Sequence, residues 1–107
     1  MGAAKRGGLA AMTVLVSICG AASAQERVEQ GQRIARNWCS GCHVVEPGGT
    51  SGSDVAPPFP IVAQRPSLTT ERLRAWLADP HPPMPNLALS REEIEALIAY
   101  IVSLRCE

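Results

Sequence analysis

The stretch Cys39-Ser40-Gly41-Cys42-His43 determines how the rest of the chain is interpreted. Its two cysteines lie three positions apart, directly after a predicted helix, where both thiols can add to the vinyl groups of one haem. The adjacent histidine is then placed to reach the iron beneath the ring. The motif therefore predicts one covalent haem c, attached through Cys39 and Cys42, with His43 as an axial ligand of the iron.

Two other sites use cysteines at this spacing. A thioredoxin-like redox pair needs a βαβ setting, and the chain has no strand pattern that would provide one. A zinc site would have only the distant His81 and Cys106 as further ligands. Haem attachment is the interpretation that the chain favours.

Upstream of the motif, residues 1–24 have the three parts of a secretory signal peptide. Basic Lys5 and Arg6 come first, an apolar run over 9–18 follows, and small residues precede Gln25. The apolar run is about half of the roughly 20 residues that a membrane-spanning helix needs. We therefore predict cleavage after Ala24, export to the periplasm, and no membrane span in the mature chain.

The mature protein, residues 25–107, has 107 − 24 = 83 residues, which is one small domain. A domain of this size usually needs a cofactor, metal or disulfides to complete its core. Its charge is 8 − 10 = −2, because Lys5 and Arg6 leave with the signal, and it has no basic patch for nucleic acid. Cys106 is then the one cysteine outside the motif, and we expect a free thiol there.

The pattern of the mature chain predicts three main helices separated by loops. The first covers 26–38, a long loop rich in glycine and proline covers 44–66, and a middle helix covers 70–78. Ser90 and Glu93 form a capping box that opens the last helix. The apolar stripe of that helix comprises Ile94, Leu97, Ile98, Ile101 and Leu104.

An iron held by one histidine needs a second axial ligand or an open site. Met84 is the only methionine after residue 24, and Pro83 and Pro85 hold it in a segment that cannot be helical. His81 is the competing ligand. We favour Met84, because histidine–methionine ligation closes both axial positions and raises the reduction potential, which suits electron transfer.

With these features the chain resembles the class I monohaem cytochromes c over nearly the whole mature sequence. In that family a glycine eight residues before the first haem cysteine lets the first and last helices cross closely, and Gly31 holds this position. Leu97 and Tyr100 match the leucine and aromatic residue that the last helix contributes. Where the family has an aromatic residue four before the first cysteine this chain has Ala35, and Trp38 or Ile34 is expected to fill the gap.

The resemblance also implies two residues around the haem. In the family a proline carbonyl accepts a hydrogen bond from the outer nitrogen of the haem histidine. Pro57 matches that proline, with Pro58 as the alternative. Trp76 is either a donor to a haem propionate, as in relatives, or a core residue.

The sequence as a whole predicts an all-α cytochrome c fold, with three main helices and loops around one covalent haem. The function we expect is single-electron transfer between transient periplasmic redox partners by a monomer, without catalytic residues. A haem enzyme, such as a peroxidase or the haem subunit of a dehydrogenase, is the alternative. A gas sensor would need a vacant iron site, and Met84 argues against it.

Overall fold

The computed structural model describes residues 2–4, 7–8, 19–50, 52 and 55–106. Within them lie four α-helices, followed by a 3-10 turn at Leu104–Cys106; no strand occurs in these ranges. The helices are α1 Cys19–Trp38, α2 Phe59–Ala63, α3 Thr70–Ala78 and α4 Arg91–Ser103. The fold is all-α, and the three predicted helices are α1, α3 and α4.

The first helix begins earlier than the sequence pattern predicts. It ends at Trp38 as expected, but it starts at Cys19 instead of residue 26. The residues before Gln25 are rich in alanine, the best helix former, and contain no proline to stop the helix. Most of the predicted signal peptide, 1–24, lies outside the described residues, as does the side chain of Cys106.

The first and last helices cross at Gly31. A Cβ atom built on Gly31 would lie 2.0 Å from the carbonyl oxygen of Ala96 and 2.7 Å from the Cβ of Tyr100. Both distances are far below van der Waals contact, so only glycine allows the two backbones to approach this closely. Leu97, beside the crossing on α4, is fully buried.

The capping residues fix where α3 and α4 begin. The Thr69 hydroxyl accepts a hydrogen bond from the Arg72 amide, at 3.1 Å, at the start of α3. At the start of α4, the Glu93 amide donates to the Ser90 hydroxyl and the Ser90 amide donates to the Glu93 carboxylate. This predicted capping box satisfies amide groups that the helix itself leaves unpaired.

The core lies between α4 and the other helices. Its buried side chains include Phe59, Val62, Leu73, Leu77, Ile94, Leu97, Ile98, Tyr100 and Ile101. On the surface, Arg74 of α3 pairs with Glu95 of α4, with 2.6 Å between Nε and Oε1. None of the described helices combines the length and the hydropathy that a bilayer-crossing segment needs.

The C-terminal turn holds the segment that follows α2. The Arg105 guanidinium donates to the carbonyl oxygens of Ala63 and Leu68, at 3.2 and 2.8 Å. In the opposite direction, the side-chain amide of Gln64 donates to the Leu104 carbonyl at 3.0 Å. These three bonds fasten the loop between α2 and α3 to the end of the chain.

The gap expected at Ala35 is closed by aliphatic packing. Ala35 is fully buried, and Ile34 is partly buried against the core. Trp38 does not fill the gap, because it is 64% exposed.

Candidate haem-binding site

The cysteine motif forms a tight turn that continues the end of α1. The Cys39 amide donates to the Ala35 carbonyl at 2.9 Å, and the amides of Cys42 and His43 both donate to the Cys39 carbonyl, at 3.2 and 2.9 Å. The turn buries Cys39, leaves Cys42 exposed and half-buries His43. Both sulfur-bearing residues and the histidine are thereby directed to one region of the surface.

Burial affects the ionisation of the first cysteine. Removal from water raises the pKa of the Cys39 thiol to about 11, and the nearby Cys42 adds a smaller contribution in the same direction. The thiol is therefore neutral at physiological pH, as a buried group in an apolar surrounding should be. Cys39 is held as an uncharged thiol beside the cavity described below.

The His43 ring is held by the loop that returns from residue 57. Its Nδ1 atom lies 2.7 Å from the carbonyl oxygen of Pro57, and its ring packs against Phe59 with 5.0 Å between centroids. A carbonyl oxygen only accepts, so Nδ1 carries the proton and Nε2 keeps a lone pair. The Pro58 carbonyl instead accepts the amides of Ile61 and Val62 in the first turn of α2.

A cavity of about 570 Å³ opens beside this histidine. Cys39, Cys42, His43, Trp76 and Met84 all line it, together with apolar side chains from α2, α3 and α4. Ligand pockets typically span roughly 300–1,000 Å³ and combine apolar walls with a few polar groups. Pro57 lines it too, so the cavity brings together every residue that the sequence analysis associates with the haem.

The proline-rich segment between α3 and α4 carries both candidates for the second axial ligand. The Met84 amide donates to the His81 carbonyl at 2.9 Å, which closes a turn. Both residues line the cavity, but Met84 is partly buried against the core whereas His81 is exposed. The thioether is therefore the better enclosed of the two donors.

Three further side chains around the cavity qualify the sequence interpretation. Trp76 lines the cavity and is 38% exposed, whereas the buried residues of α3 are Leu73 and Leu77. Arg65 also lines the cavity and was not predicted, because an arginine in a loop has no sequence signal of its own. Trp38 lies at the same cavity with most of its surface in solvent.

The residues present fit a covalent c-type haem. Two thiols, the His43 imidazole with a lone pair on Nε2 and the Met84 thioether border a single cavity with mainly apolar walls, and the exposed imidazole of His81 lies there too. These donors match the attachment and axial-ligand chemistry of histidine–methionine haem proteins. Among the described residues, no cluster of three or more histidine, cysteine or acidic side chains offers a competing metal site.

The chain is similar to a known family model and to two known proteins. A family model described as cytochrome C oxidase, cbb3-type, subunit III matches residues 26–101. Cytochrome c-552 of Bradyrhizobium diazoefficiens is 47% identical over 75 residues, which cover 70% of this chain and 72% of that protein. Cytochrome c oxidase subunit 2 of Alkalihalophilus pseudofirmus is 36% identical over 91 residues, covering 71% of this chain and 25% of that protein.

No solved structure matches the chain. The family match covers well over half of the sequence, and the cytochrome c-552 match extends over most of both proteins. With the all-α fold and the Cys39–His43 turn beside its cavity, the chain belongs to the class I monohaem cytochrome c family.

Proposed function

We propose that this cytochrome shuttles single electrons between periplasmic redox proteins through one covalently bound haem c. Its family makes the chain an electron-transfer cytochrome. The observation that carries it is that one cavity is lined by Cys39, Cys42, His43 and Met84.

Each of these residues has a definite task. Cys39 and Cys42 would form the thioether bonds to the haem, and His43 would bind the iron through Nε2 while its Nδ1–H donates to the Pro57 carbonyl. This outer hydrogen bond fixes the ring and strengthens it as an electron donor. Met84 would supply the second ligand of the iron. The haem contributes reversible one-electron chemistry, which no side chain of this site could supply.

Polar side chains at the cavity support binding of the haem propionates. The Trp76 indole N–H is a hydrogen-bond donor, and the Arg65 guanidinium is a permanent positive charge on the same cavity. A carboxylate that leaves water is stabilised by donors and by an opposite charge. We assign Trp76 and Arg65 to this task, with the apolar walls enclosing the ring.

The two axial ligands favour an electron carrier over a haem enzyme. A peroxidase or a gas sensor needs a coordination position that substrate can enter, and a histidine–methionine pair occupies both positions. The relative named cytochrome c-552 also supports a carrier.

Export and processing complete the proposal. We assign residues 1–24 to a signal peptide cleaved after Ala24, and residues 25–107 to a monomeric cytochrome domain in the periplasm. The partners are a redox donor and a redox acceptor that bind transiently, since carriers of electrons use small, short-lived interfaces. Nucleic acid is not among the partners we expect.

The test uses the protein expressed in a bacterium that attaches haem c and purified from its periplasm. We expect the mass of residues 25–107 plus one haem, haem that resists extraction by acidified solvent, and a reversible titration by one electron. The control is the double variant Cys39→Ser, Cys42→Ser, which should lose covalent haem. Rapid cyanide binding by the oxidised parent, with peroxidase turnover, would contradict the carrier and support the enzyme.

A further inference from the structure

Three consecutive residues after His43 are each fastened to a different helix. The Val44 carbonyl accepts the Phe59 amide of α2 at 2.8 Å, and the Val45 carbonyl accepts the Tyr100 hydroxyl of α4 at 2.6 Å. The next residue, Glu46, pairs through its carboxylate with Arg36 of α1. The loop that leaves the histidine is thereby held at three points in succession.

These three anchors differ in strength because they differ in exposure. Arg36 and Glu46 are 54% and 35% exposed in their side chains, and ion pairs in contact with water contribute little. Tyr100 and Val45 are each 3% exposed, so their hydrogen bond is made away from water. A buried carbonyl that loses its donor has no water to replace it, which makes this bond the costly one to remove.

The Tyr100 anchor is connected to the histidine through a short network. The same two chain segments are joined twice, by the Phe59 amide to the Val44 carbonyl and by His43 Nδ1 to the Pro57 carbonyl. Val45 follows Val44 directly, so the Tyr100 hydroxyl is bound next to the segment that these two hydrogen bonds join.

A glycine closes the loop from another side. Gly52 has φ +98°, and a Cβ atom built on it would lie 2.6 Å from both the carbonyl carbon of His43 and the amide nitrogen of Val44. The backbone of the loop thus packs directly onto the peptide that follows the histidine. Gly52 thus contacts this peptide on one side, and the hydrogen bonds at Val44 and Val45 hold the same segment from α2 and α4.

We propose that Tyr100 is a positioning residue for His43, and that its hydroxyl, bound to the Val45 carbonyl, sets the strength of the hydrogen bond from His43 Nδ1 to Pro57. The inference rests on the proposed role of His43 as an axial ligand. A weaker hydrogen bond at Nδ1 makes the imidazole a weaker electron donor to iron. The oxidised iron is then less stabilised. Loss of the hydroxyl should then raise the reduction potential.

The experiment compares the haem-loaded parent with Tyr100→Phe, which keeps the ring at the helix crossing and removes only the hydroxyl. We expect a higher reduction potential and altered magnetic resonance signals of the His43 ring. Hydrogen exchange of the Phe59 amide should be about tenfold faster, as expected when a hydrogen bond is lost. Slowly exchanging amides within α1 and α4 should keep their rates.

Two matched variants separate this role from a general loss of stability. Arg36→Gln removes the exposed anchor of the same loop, and Ser103→Ala removes a hydroxyl on α4 that donates to the Tyr100 carbonyl. Neither should move the potential as far as Tyr100→Phe does. Two results would overturn the inference: a uniform acceleration of hydrogen exchange with an unchanged reduction potential, or no change in either quantity. In both cases the parent's haem spectrum would still support the proposed function. A parent without a histidine–methionine spectrum would overturn both.

Discussion

Gly31 of α1 lies against the backbone carbonyl of Ala96 of α4, so closely that a Cβ at position 31 would be 2.0 Å from the carbonyl oxygen. The atom it meets belongs to the backbone of a capped helix and cannot rotate away as the end of a side chain would. The crossing of the first and last helices consequently depends on the absence of a single methyl group.

We expect Gly31→Ala to destabilise the haem-loaded protein by about 3 kcal/mol or more, because overpacking forces two helix backbones apart. Alanine is a better helix former than glycine by roughly 1 kcal/mol, and the expected loss is what remains after this gain is subtracted. Denaturant unfolding followed by circular dichroism measures it. The control is Arg33→Ala, an exposed change on the same helix, and equal stability of the two variants would contradict the steric argument.

Met84→Ala should abolish the low-spin histidine–methionine spectrum while the haem stays attached through Cys39 and Cys42. No other methionine follows residue 24, so none can replace the thioether. Absorption and magnetic resonance spectra of the oxidised and reduced variant measure the change. His81→Gln is the matched control on the same segment and should keep the parent spectrum, whereas the reverse pattern would identify His81 as the ligand.

At alkaline pH this protein should not form the lysine-ligated state that many relatives adopt. Lys5 is the one lysine of the sequence and lies in the predicted signal peptide, while arginine remains protonated far above neutral pH. Any high-pH form should carry hydroxide, His81 or the N-terminal amine on the iron. A pH titration of the oxidised protein, read by electron paramagnetic resonance, tests this. An amine-ligated signal that persists after the N-terminus is blocked would contradict it.

Electron transfer should depend weakly on ionic strength, because the exposed side chains beside the cavity are mainly apolar. Trp38, Val55 and Trp76 are 64%, 79% and 38% exposed and line it together. Charge chiefly sets the rate of encounter, whereas apolar contact holds the short-lived complex. The self-exchange rate, measured by magnetic resonance at increasing salt, requires no identified partner.

For the same surface, Trp38→Glu should slow self-exchange, since two copies would then bring like charges together. The control is Glu46→Gln, which removes a negative charge from the loop that follows His43. A steep dependence of the parent rate on salt would show that charge controls docking.

Three of the four described helices were accessible to prediction because their signals are local, whereas α2 lies inside the segment 44–66 that was predicted as a loop. Thr70–Ala78 has the predicted bounds, and Ser90 and Glu93 form the predicted capping box, because caps depend on residues three apart. The start of α1 was not predicted because the alanine-rich segment before Gln25 was assigned to a signal peptide, although its residues favour a helix.

The contacts around the site could be predicted only where a family pattern carried them. The hydrogen bond between His43 and Pro57 joins residues fourteen apart, and the resemblance pointed to this proline. Nothing local to Tyr100 or Val45 indicates that they bond across fifty-five residues. Arg65 at the cavity and the exposure of Trp38 likewise follow from how the loops fold back, which no periodicity encodes.

The crossing of α1 with α4 also determines the order in which the molecule can assemble during its synthesis. The surface that α1 buries belongs to a helix made sixty-five residues later, since Gly31 meets Ala96. A helix without its packing partner is marginal in water, so the N-terminal part of the chain has little to fold onto until the C-terminal part has emerged. Throughout that interval both cysteines of the motif are accessible, and packing of α1 against α4 then accompanies burial of Cys39 while Cys42 stays exposed.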